Sequence, residues 1–356
     1  MKKIHSIELF YFSGTGNARQ IARWIAQHAE EEKIECQLHN IAKQTLPVCC
    51  PPQALIIIIS PIHGFNYPKI TLDFIRHFPT GKNSVVLMNT RAGMKIGKFV
   101  TPGLTGIAFL ISSLWLKRKG YTLMGSIPFD MPSNWISLHP ALNNNTVAYL
   151  HAKNYERVRH HNEKIFSGKR DFHSHRDIVQ DVIISPIALA YYFIGRFIIA
   201  KTFYCSHLCN NCGICISQCP VKAIVTKNKR PFWTLKCESC MHCMNVCPER
   251  AIETSHGLLV VTSIFYSVLT GWIFRRSLPE IVSLEPINSL FQMLAFLGLI
   301  VLFYLFQHAL LRYSMAAKLI SLASLTRYKF WGRYKSIPDV MWKKKFSGIV
   351  GKPENN

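Results

Sequence analysis

Short apolar runs alternate with amphipathic segments over the first part of the chain. The run at residues 55–59 is continuously aliphatic, which is typical of a parallel strand buried on both faces. Strands alternating with helices predict an α/β fold with a doubly wound parallel sheet, whose ligands bind beyond the carboxyl ends of the strands. The predicted strands are 7–12, 36–41, 55–59, 85–89 and 121–127, and the predicted helices are 18–30, 69–78, 104–116 and 145–166.

The remainder of the chain follows a different pattern. Residues 167–177 are polar and rich in His, and are predicted to form a linker. Residues 182–195 are apolar but too few to span a bilayer, so a packed or interfacial helix is favoured there over membrane insertion. Two longer uncharged segments, 257–274 and 286–311, follow and are long enough to be transmembrane helices.

Composition supports a membrane contact. The 356 residues include 42 Lys and Arg against 19 Asp and Glu, a net charge of +23, yet only 17% are charged. Soluble domains average about 25% charged residues. An apolar content of 49% excludes a disordered chain. No secretory signal is found, so a reducing compartment is expected and disulfides are not.

Eight of the twelve cysteines form two runs with the same spacing, 28 residues apart. Each run is Cys-x2-Cys-x2-Cys-x3-Cys-Pro, and zinc sites favour separated Cys pairs instead. The spacing therefore indicates iron–sulfur clusters, with zinc as the disfavoured alternative. The runs contain Cys209, Cys212, Cys215 and Cys219, then Cys237, Cys240, Cys243 and Cys247.

Residues 204–255 resemble the bacterial ferredoxins with two [4Fe-4S] clusters. In that family the fourth cysteine of each run ligates the other cluster. The resemblance implies one cluster on Cys209, Cys212, Cys215 and Cys247, and a second on Cys237, Cys240, Cys243 and Cys219. Cys205 fits neither set.

A glycine-rich turn connects the first predicted strand to the first helix. It lacks the third glycine of a dinucleotide fingerprint and the Lys of a Walker A loop. Backbone N–H groups and hydroxyls at a helix N-terminus suit a phosphate. The turn resembles the phosphate loop of flavodoxins, with Ala18 in place of the usual Thr, which implies FMN bound by Ser13, Gly14, Thr15, Gly16, Asn17 and Ala18.

Two further strand ends are predicted to hold the flavin ring. The first contributes Pro61, His63, Gly64 and Phe65, and the second contributes Thr90 and Arg91. Arg91 either stabilises an anionic reduced flavin or is a surface charge. Trp135 either covers the site or packs in the core.

Residues 1–255 together resemble the flavodoxin–ferredoxin fusions called ferrodoxins. The predicted domains are a flavodoxin-like FMN-binding domain at 1–166, a linker and apolar helix at 167–203, and a small α+β two-[4Fe-4S] ferredoxin domain at 204–256. A helical membrane hairpin at 257–311 and a basic cytoplasmic tail at 312–356 follow. The resemblance implies an electron-transfer protein with two [4Fe-4S] clusters and FMN, and no catalytic side chain is identified.

Charge asymmetry gives the expected topology. The last 45 residues contain 10 basic and 2 acidic side chains, which places the tail and the redox domains on the cytoplasmic side of the cytoplasmic membrane. Arg275 and Arg276 on the outer side oppose this, unless the first segment is re-entrant or interfacial. Basic and aromatic residues alternate over 327–335, which favours anionic lipid over nucleic acid as the partner.

The expected function is therefore membrane-anchored electron transfer between FMN and the clusters. The redox partner is expected to be a protein or a quinone. Two alternatives stay open: a redox-sensing or assembly subunit with an empty flavin site, and a flavin-dependent reductase of an organic substrate supplied with electrons by the clusters.

Overall fold

The computed structural model describes residues 4–44, 50–96, 99–277 and 285–332. Cys49 and the predicted tail beyond residue 332, with Arg333, Lys335 and Lys343–Lys345, lie outside this part. The chain forms two compact units. The N-terminal unit contains Met1–Trp135 and Ala141–Phe193, and the C-terminal unit contains Ile136–Pro140 and Ile194–Arg333.

A parallel sheet forms the centre of the N-terminal unit, in the order β2-β1-β3-β4-β6. This is the flavodoxin-like strand order, so the predicted fold class is confirmed. The strands are β1 (Ser6–Tyr11), β2 (Glu35–Asn40), β3 (Leu55–Pro61), β4 (Ser84–Ile96), β5 (Phe99–Thr101) and β6 (Thr122–Pro132). The helices are α1 (Asn17–Glu31), α2 (Lys69–His77), α3 (Ala108–Arg118) and α4 (Asn144–Phe166).

The central strands form because their side chains are apolar on both faces. Residues 55–60 of β3 are all buried, with helices covering the sheet, as the aliphatic run predicts. β4 is longer than predicted, because its polar end pairs antiparallel with β5 in a hairpin. The apolar run at 85–89 predicts only the buried part of β4.

The segment predicted as a linker is partly tied to the sheet. Asp171 N donates to Met124 O at 2.9 Å, and Ser126 N donates to Asp171 O at 3.0 Å, so this residue extends the edge of β6. The helix α5 (Ile178–Ala190) then leads through a π-helical turn at Tyr191–Gly195 into α6 (Arg196–Ala200).

The C-terminal unit begins with a twofold-repeated arrangement. β7 (Phe203–Cys205) pairs antiparallel with β10 (Ile252–Thr254), and β8 (Ile224–Lys227) pairs with β9 (Arg230–Trp233). The short helices α7 (Ile214–Ser217) and α8 (His242–Val246) lie within the two cysteine runs. Three longer helices follow: α9 (His256–Ser277), α10 (Glu285–Leu310) and α11 (Ser314–Leu322).

Residues after α11 cross the start of α9. Gly257 N donates to Ala323 O at 3.2 Å, and Leu325 N donates to His256 Nδ1 at 3.1 Å. Thr254 N donates to Thr326 Oγ1 at 3.1 Å. The described beginning of the predicted tail therefore packs on the strands that frame the cysteine runs.

Two described helical stretches are long and apolar enough to cross a membrane, which is weak evidence by itself. One is Phe291–Leu310, within the second predicted span, and the other is His173–Ala200. The latter is longer than the apolar window at 182–195 suggested, because helix continues on both sides of it. The described apolar part of α9, His256–Trp272, is shorter.

Candidate functional site

The two cysteine runs have the same backbone conformation. In each run, the residues directly before and directly after the second cysteine have a positive φ: Asn211 at 60° and Gly213 at 76° in the first run, Ser239 at 51° and Met241 at 58° in the second. Left-handed residues of this kind turn successive N–H groups toward one side of the chain, where they can surround an anion. Both runs are therefore built as anion-holding turns.

Backbone donors also point at the distal cysteine of each run. Ala223 N donates to Cys219 Sγ at 3.2 Å, and Ala251 N donates to Cys247 Sγ at 3.3 Å. Each donor follows its cysteine by four residues, so the duplication extends to these hydrogen bonds. A donor held at sulfur favours the thiolate, which is the form that binds metal.

One cavity joins the first three cysteines of the first run to the last cysteine of the second. Its lining includes Cys209, Cys212, Cys215 and Cys247. Burial, and to a smaller extent negative charge at Cys209, Cys247 and Cys212, raise the pKa of Cys215 to about 11. The four residues assigned to one cluster thus face a common space.

The other four cysteines interact in the same crossed manner. Burial raises the pKa of Cys237 to about 12, and the thiolate of Cys219 contributes in the same direction. Burial also raises the pKa of Cys243, to which the thiolates of Cys237, Cys240 and Cys219 add. Burial is thus the larger obstacle to ionisation, and bound iron would offset it by supplying positive charge.

The donor set fits an iron–sulfur cluster better than a single metal ion. Within the part of the chain that the structure describes, no group of three or more His, Cys, Asp or Glu is placed to hold one ion. A cubane binds each thiolate at a separate iron, so its ligands stand further apart than those of one ion. The ligand assignment itself stays a prediction.

Sequence reasoning gave Cys205 and Trp233 no role beside the clusters. Cys205 is buried beside Cys209. Its interaction with the Cys209 sulfur lowers the pKa of Cys209 to about 6, although burial of Cys209 acts in the opposite direction. Trp233 is fully buried, and its side chain lowers the pKa of Cys243 against the larger opposite effect of burial. Both residues precede the first cysteine of a run by four positions.

The glycine-rich turn in the N-terminal unit leads directly into α1, which begins after Gly16 at φ 110°. Ser13 Oγ accepts from Gly16 N at 3.0 Å, and Thr15 Oγ1 accepts from Asn134 Nδ2. Asn17 Nδ2 donates to Pro132 O at 2.8 Å, which ties the turn to the end of β6.

Ala18 and Gly14, also predicted to bind the phosphate, can offer a ligand only their backbone. The methyl group of Ala18 packs in the core of the unit, so a ligand could contact only its backbone. Gly14 is placed within the turn. The turn leads into the first turn of a helix, whose backbone N–H groups suit a phosphate.

The loop after β3 is held in a tight turn. His63 N donates to Asn66 O at 2.8 Å, and Gly64 and Phe65 have φ of 54° and 64°. Pro61, the last residue of β3, pairs with Thr90 in the middle of β4. The two segments predicted to hold the flavin ring therefore lie side by side, although the second is not the end of its strand.

An aromatic group lies over this loop. The Trp135 ring is 5.8 Å from that of His63 and 5.5 Å from that of Tyr191. A methyl group added at Gly64 would overlap the Tyr191 ring. Trp135 is therefore part of the loop cluster as well as of the packing, and Tyr191 is a contributor that local sequence signals did not reveal.

Arg91 is buried, so its interpretation as a surface charge is wrong. Its Nε lies 2.7 Å from Asp130 Oδ1 and its Nη1 lies 2.6 Å from Asp177 Oδ2. Burial alone would lower the pKa of Arg91, but the two carboxylates outweigh burial and raise it. A flavin contact by Arg91 stays a prediction, although these two nitrogens already have partners.

Comparison with known proteins identifies the cysteine-rich region. Residues 208–252 match the family described as the 4Fe-4S dicluster domain. No curated protein sequence matches the chain.

Solved flavodoxins are similar over the N-terminal part. A short-chain flavodoxin associated with a non-canonical PDU bacterial microcompartment is 12% identical with a TM-score of 0.29, and 44% of this chain covers 99% of it. Flavodoxin 1 from Bacillus cereus is 17% identical with a TM-score of 0.28, and the match covers 44% of this chain and 98% of that flavodoxin. The flavodoxin-like fold assignment rests on the strand order.

The chain thus joins a flavodoxin-like unit to a 4Fe-4S dicluster ferredoxin domain, as in the flavodoxin–ferredoxin fusions. A dicluster domain exchanges electrons one at a time. The protein is accordingly an electron-transfer protein.

Replacing Arg91 should destabilise the N-terminal unit. Arg91→Met leaves Asp177 without this buried cation and Asp130 with Arg157 alone, and breaking a buried pair typically costs about 3–5 kcal/mol. Urea unfolding followed by circular dichroism should show an earlier transition. Lys69→Met is the matched control, because it removes a surface ion pair with Asp73 and should cost under about 1 kcal/mol. Equal stability of the two variants would contradict the described network.

Crossed ligation predicts which cluster each cysteine variant loses. Cys247→Ser should disturb the cluster of Cys209, Cys212 and Cys215, whereas Cys219→Ser should disturb that of the second run. Mössbauer or EPR spectra of each variant, combined with a Cys212→Ser reference, check this. Cys247→Ser should match Cys212→Ser, and a match with Cys240→Ser would refute the crossing.

Proposed function

We propose that the protein is a membrane-anchored carrier that passes electrons between FMN on the N-terminal unit and two [4Fe-4S] clusters on the C-terminal unit. The observation that carries the proposal is the crossed grouping of the eight cysteines within a matched dicluster domain. FMN exchanges two electrons with a donor or acceptor, whereas each cluster exchanges one. The residues of the chain bind these groups, exclude water and adjust their potentials.

Three neighbouring segments of the N-terminal unit support FMN binding. The turn before α1 supplies backbone N–H groups and Asn17, and the end of β3 lies beside Thr90 of β4. Ligands of this fold class bind at that edge of the sheet. His63, Trp135 and Tyr191 supply the aromatic surface that a planar ring requires.

The apolar helices support the membrane anchor. Exposed residues of α10 include Leu294, Leu302 and Phe306, whereas Ile300, Tyr304 and His308 are buried on its other face. One face of α10 is thus available to lipid while the other packs within the unit. We place the redox units on the cytoplasmic side, where a protein or quinone is the electron partner and the basic tail contacts anionic lipid.

A second candidate function is a redox sensor whose flavin site stays empty. The Tyr191 ring against Gly64 is the observation in its favour, because an aromatic side chain already covers that loop. The clusters would then report redox state without a flavin partner. Cofactor content separates the two functions.

Anaerobically purified protein should contain FMN as well as iron and sulfide. The carrier predicts about one FMN, eight iron and eight sulfide per chain, measured by acid extraction and colorimetric assay. Bleaching of both chromophores by dithionite should follow. Full iron with no extractable flavin would favour the sensor, and iron that cannot be reduced would exclude electron transfer.

Charges on the free face of α10 should weaken membrane attachment. Leu294→Lys with Leu302→Lys changes side chains that are 55% and 58% exposed, so the protein should still fold. In a bilayer each Lys costs about 2.5–3.5 kcal/mol. Alkaline carbonate should release this variant from membranes but retain the wild type.

The control for this experiment is Leu235→Lys, an equally exposed position between the cysteine runs. It should stay with the membrane under the same carbonate wash. Release of the unmodified protein would refute an integral anchor.

A further inference from the structure

Lys201 is a buried cation beside the second cysteine run. Its side chain is 5% exposed, and its Nζ donates to Trp233 O at 2.6 Å. The same Nζ lies 5.0 Å from the centre of the Phe232 ring and 4.7 Å from that of Tyr304. Among the described residues, no carboxylate forms an ion pair with it.

A buried ammonium group needs a compensating negative charge. Aromatic faces and one carbonyl solvate Lys201 only partly, since burial still lowers its pKa to about 8. The carbonyl that it binds belongs to Trp233, four residues before Cys237, and negative charge at Cys237 opposes the effect of burial on the pKa of Lys201. The charge of Lys201 is thus directed at the cysteines of the second run.

The first run has a corresponding cation. Arg230 Nη1 donates to Cys205 O at 3.3 Å and to Ser206 O at 3.1 Å. Cys205 and Trp233 occupy the same position, four residues before the first cysteine of each run. The carbonyl at that position therefore binds a cation in both runs, although Lys201 and Arg230 are 29 residues apart and do not occupy duplicated positions themselves.

The two cations differ in their access to water. Arg230 is only half-buried, so solvent and salt screen its charge. Lys201 is closed off by α10, where the Tyr304 hydroxyl accepts from Trp233 N at 3.1 Å. The same positive charge therefore acts more strongly at the second run than at the first.

We propose that Lys201 is the counter-cation of the cluster held by Cys237, Cys240, Cys243 and Cys219, and selectively raises its reduction potential. The inference rests on the proposed function. One-electron reduction of that cluster adds one negative charge and leaves every covalent bond intact, so a fixed positive charge favours the reduced form. The two clusters thereby become inequivalent, which gives electron transfer between them a preferred direction.

Lys201→Met tests the proposal in the full chain, purified anaerobically with both clusters. EPR-monitored potentiometric titration should show the reduction equilibrium of one cluster weakened about tenfold or more, equal to 59 mV for one electron. The other cluster should be unchanged. Lys201→Arg, which keeps the charge, should restore most of the shift.

Lys227→Met is the matched control. Its Nζ also lies 5.0 Å from the centre of the Phe232 ring, but Lys227 is exposed, so its removal should leave both potentials unchanged. A shift in Lys227→Met as large as that in Lys201→Met would overturn a specific role for the buried cation.

Iron and sulfide assays separate the possible failures. A wild-type protein without clusters would refute the proposed function, not the role of Lys201 alone. If Lys201→Met loads no cluster, Lys201→Gln, which keeps a donor for the Trp233 carbonyl, takes its place. Unchanged potentials in a loaded neutral variant, or failure of both neutral variants to load, would assign Lys201 a structural role instead.

Discussion

The C-terminal unit depends on one constraint: four thiolates must converge on each cluster, and three of them come from one short run. In the predicted ligation the fourth comes from the other run, so that neither half would be complete alone. This requirement explains why the duplication covers more than the cysteines. Left-handed residues and donors to the distal sulfur recur at 28-residue intervals, and a cation binds the carbonyl four residues before each run.

The apolar C-terminal helices are joined to this unit by polar contacts as well as by packing. Gln307 Oε1 accepts from Ser255 Oγ at 2.6 Å, and His308 Nε2 lies 3.1 Å from Lys227 O. A helix that served only as a lipid anchor would not need buried polar partners on one face. The same helix can therefore seal the second cluster from water on one side and offer its apolar side chains to lipid on the other.

The sequence predicts features whose signals are local. The sheet follows from aliphatic runs such as 55–59, and the cysteine spacing identifies the dicluster domain without any tertiary information. Tyr191, Lys201 and Tyr304 escaped prediction because they reach their partners from distant segments, and nothing in their own neighbourhood marks them. The burial of Arg91 was hidden for the same reason, since Asp177 lies 86 residues away.

The role of a buried cation can be inferred from the groups that it contacts, as Arg91 and Lys201 illustrate. Arg91 is matched by two carboxylates, so its charge is neutralised within the protein and its role is to hold strands and the following segment together. Among the described residues, Lys201 contacts a carbonyl and aromatic faces, and these do not neutralise a charge. A buried ammonium group without a carboxylate partner is stabilised when another anion binds beside it. An anionic cluster on the neighbouring cysteines is such a partner, and removal of the cluster should therefore cost the C-terminal unit more than the loss of metal–ligand bonds alone.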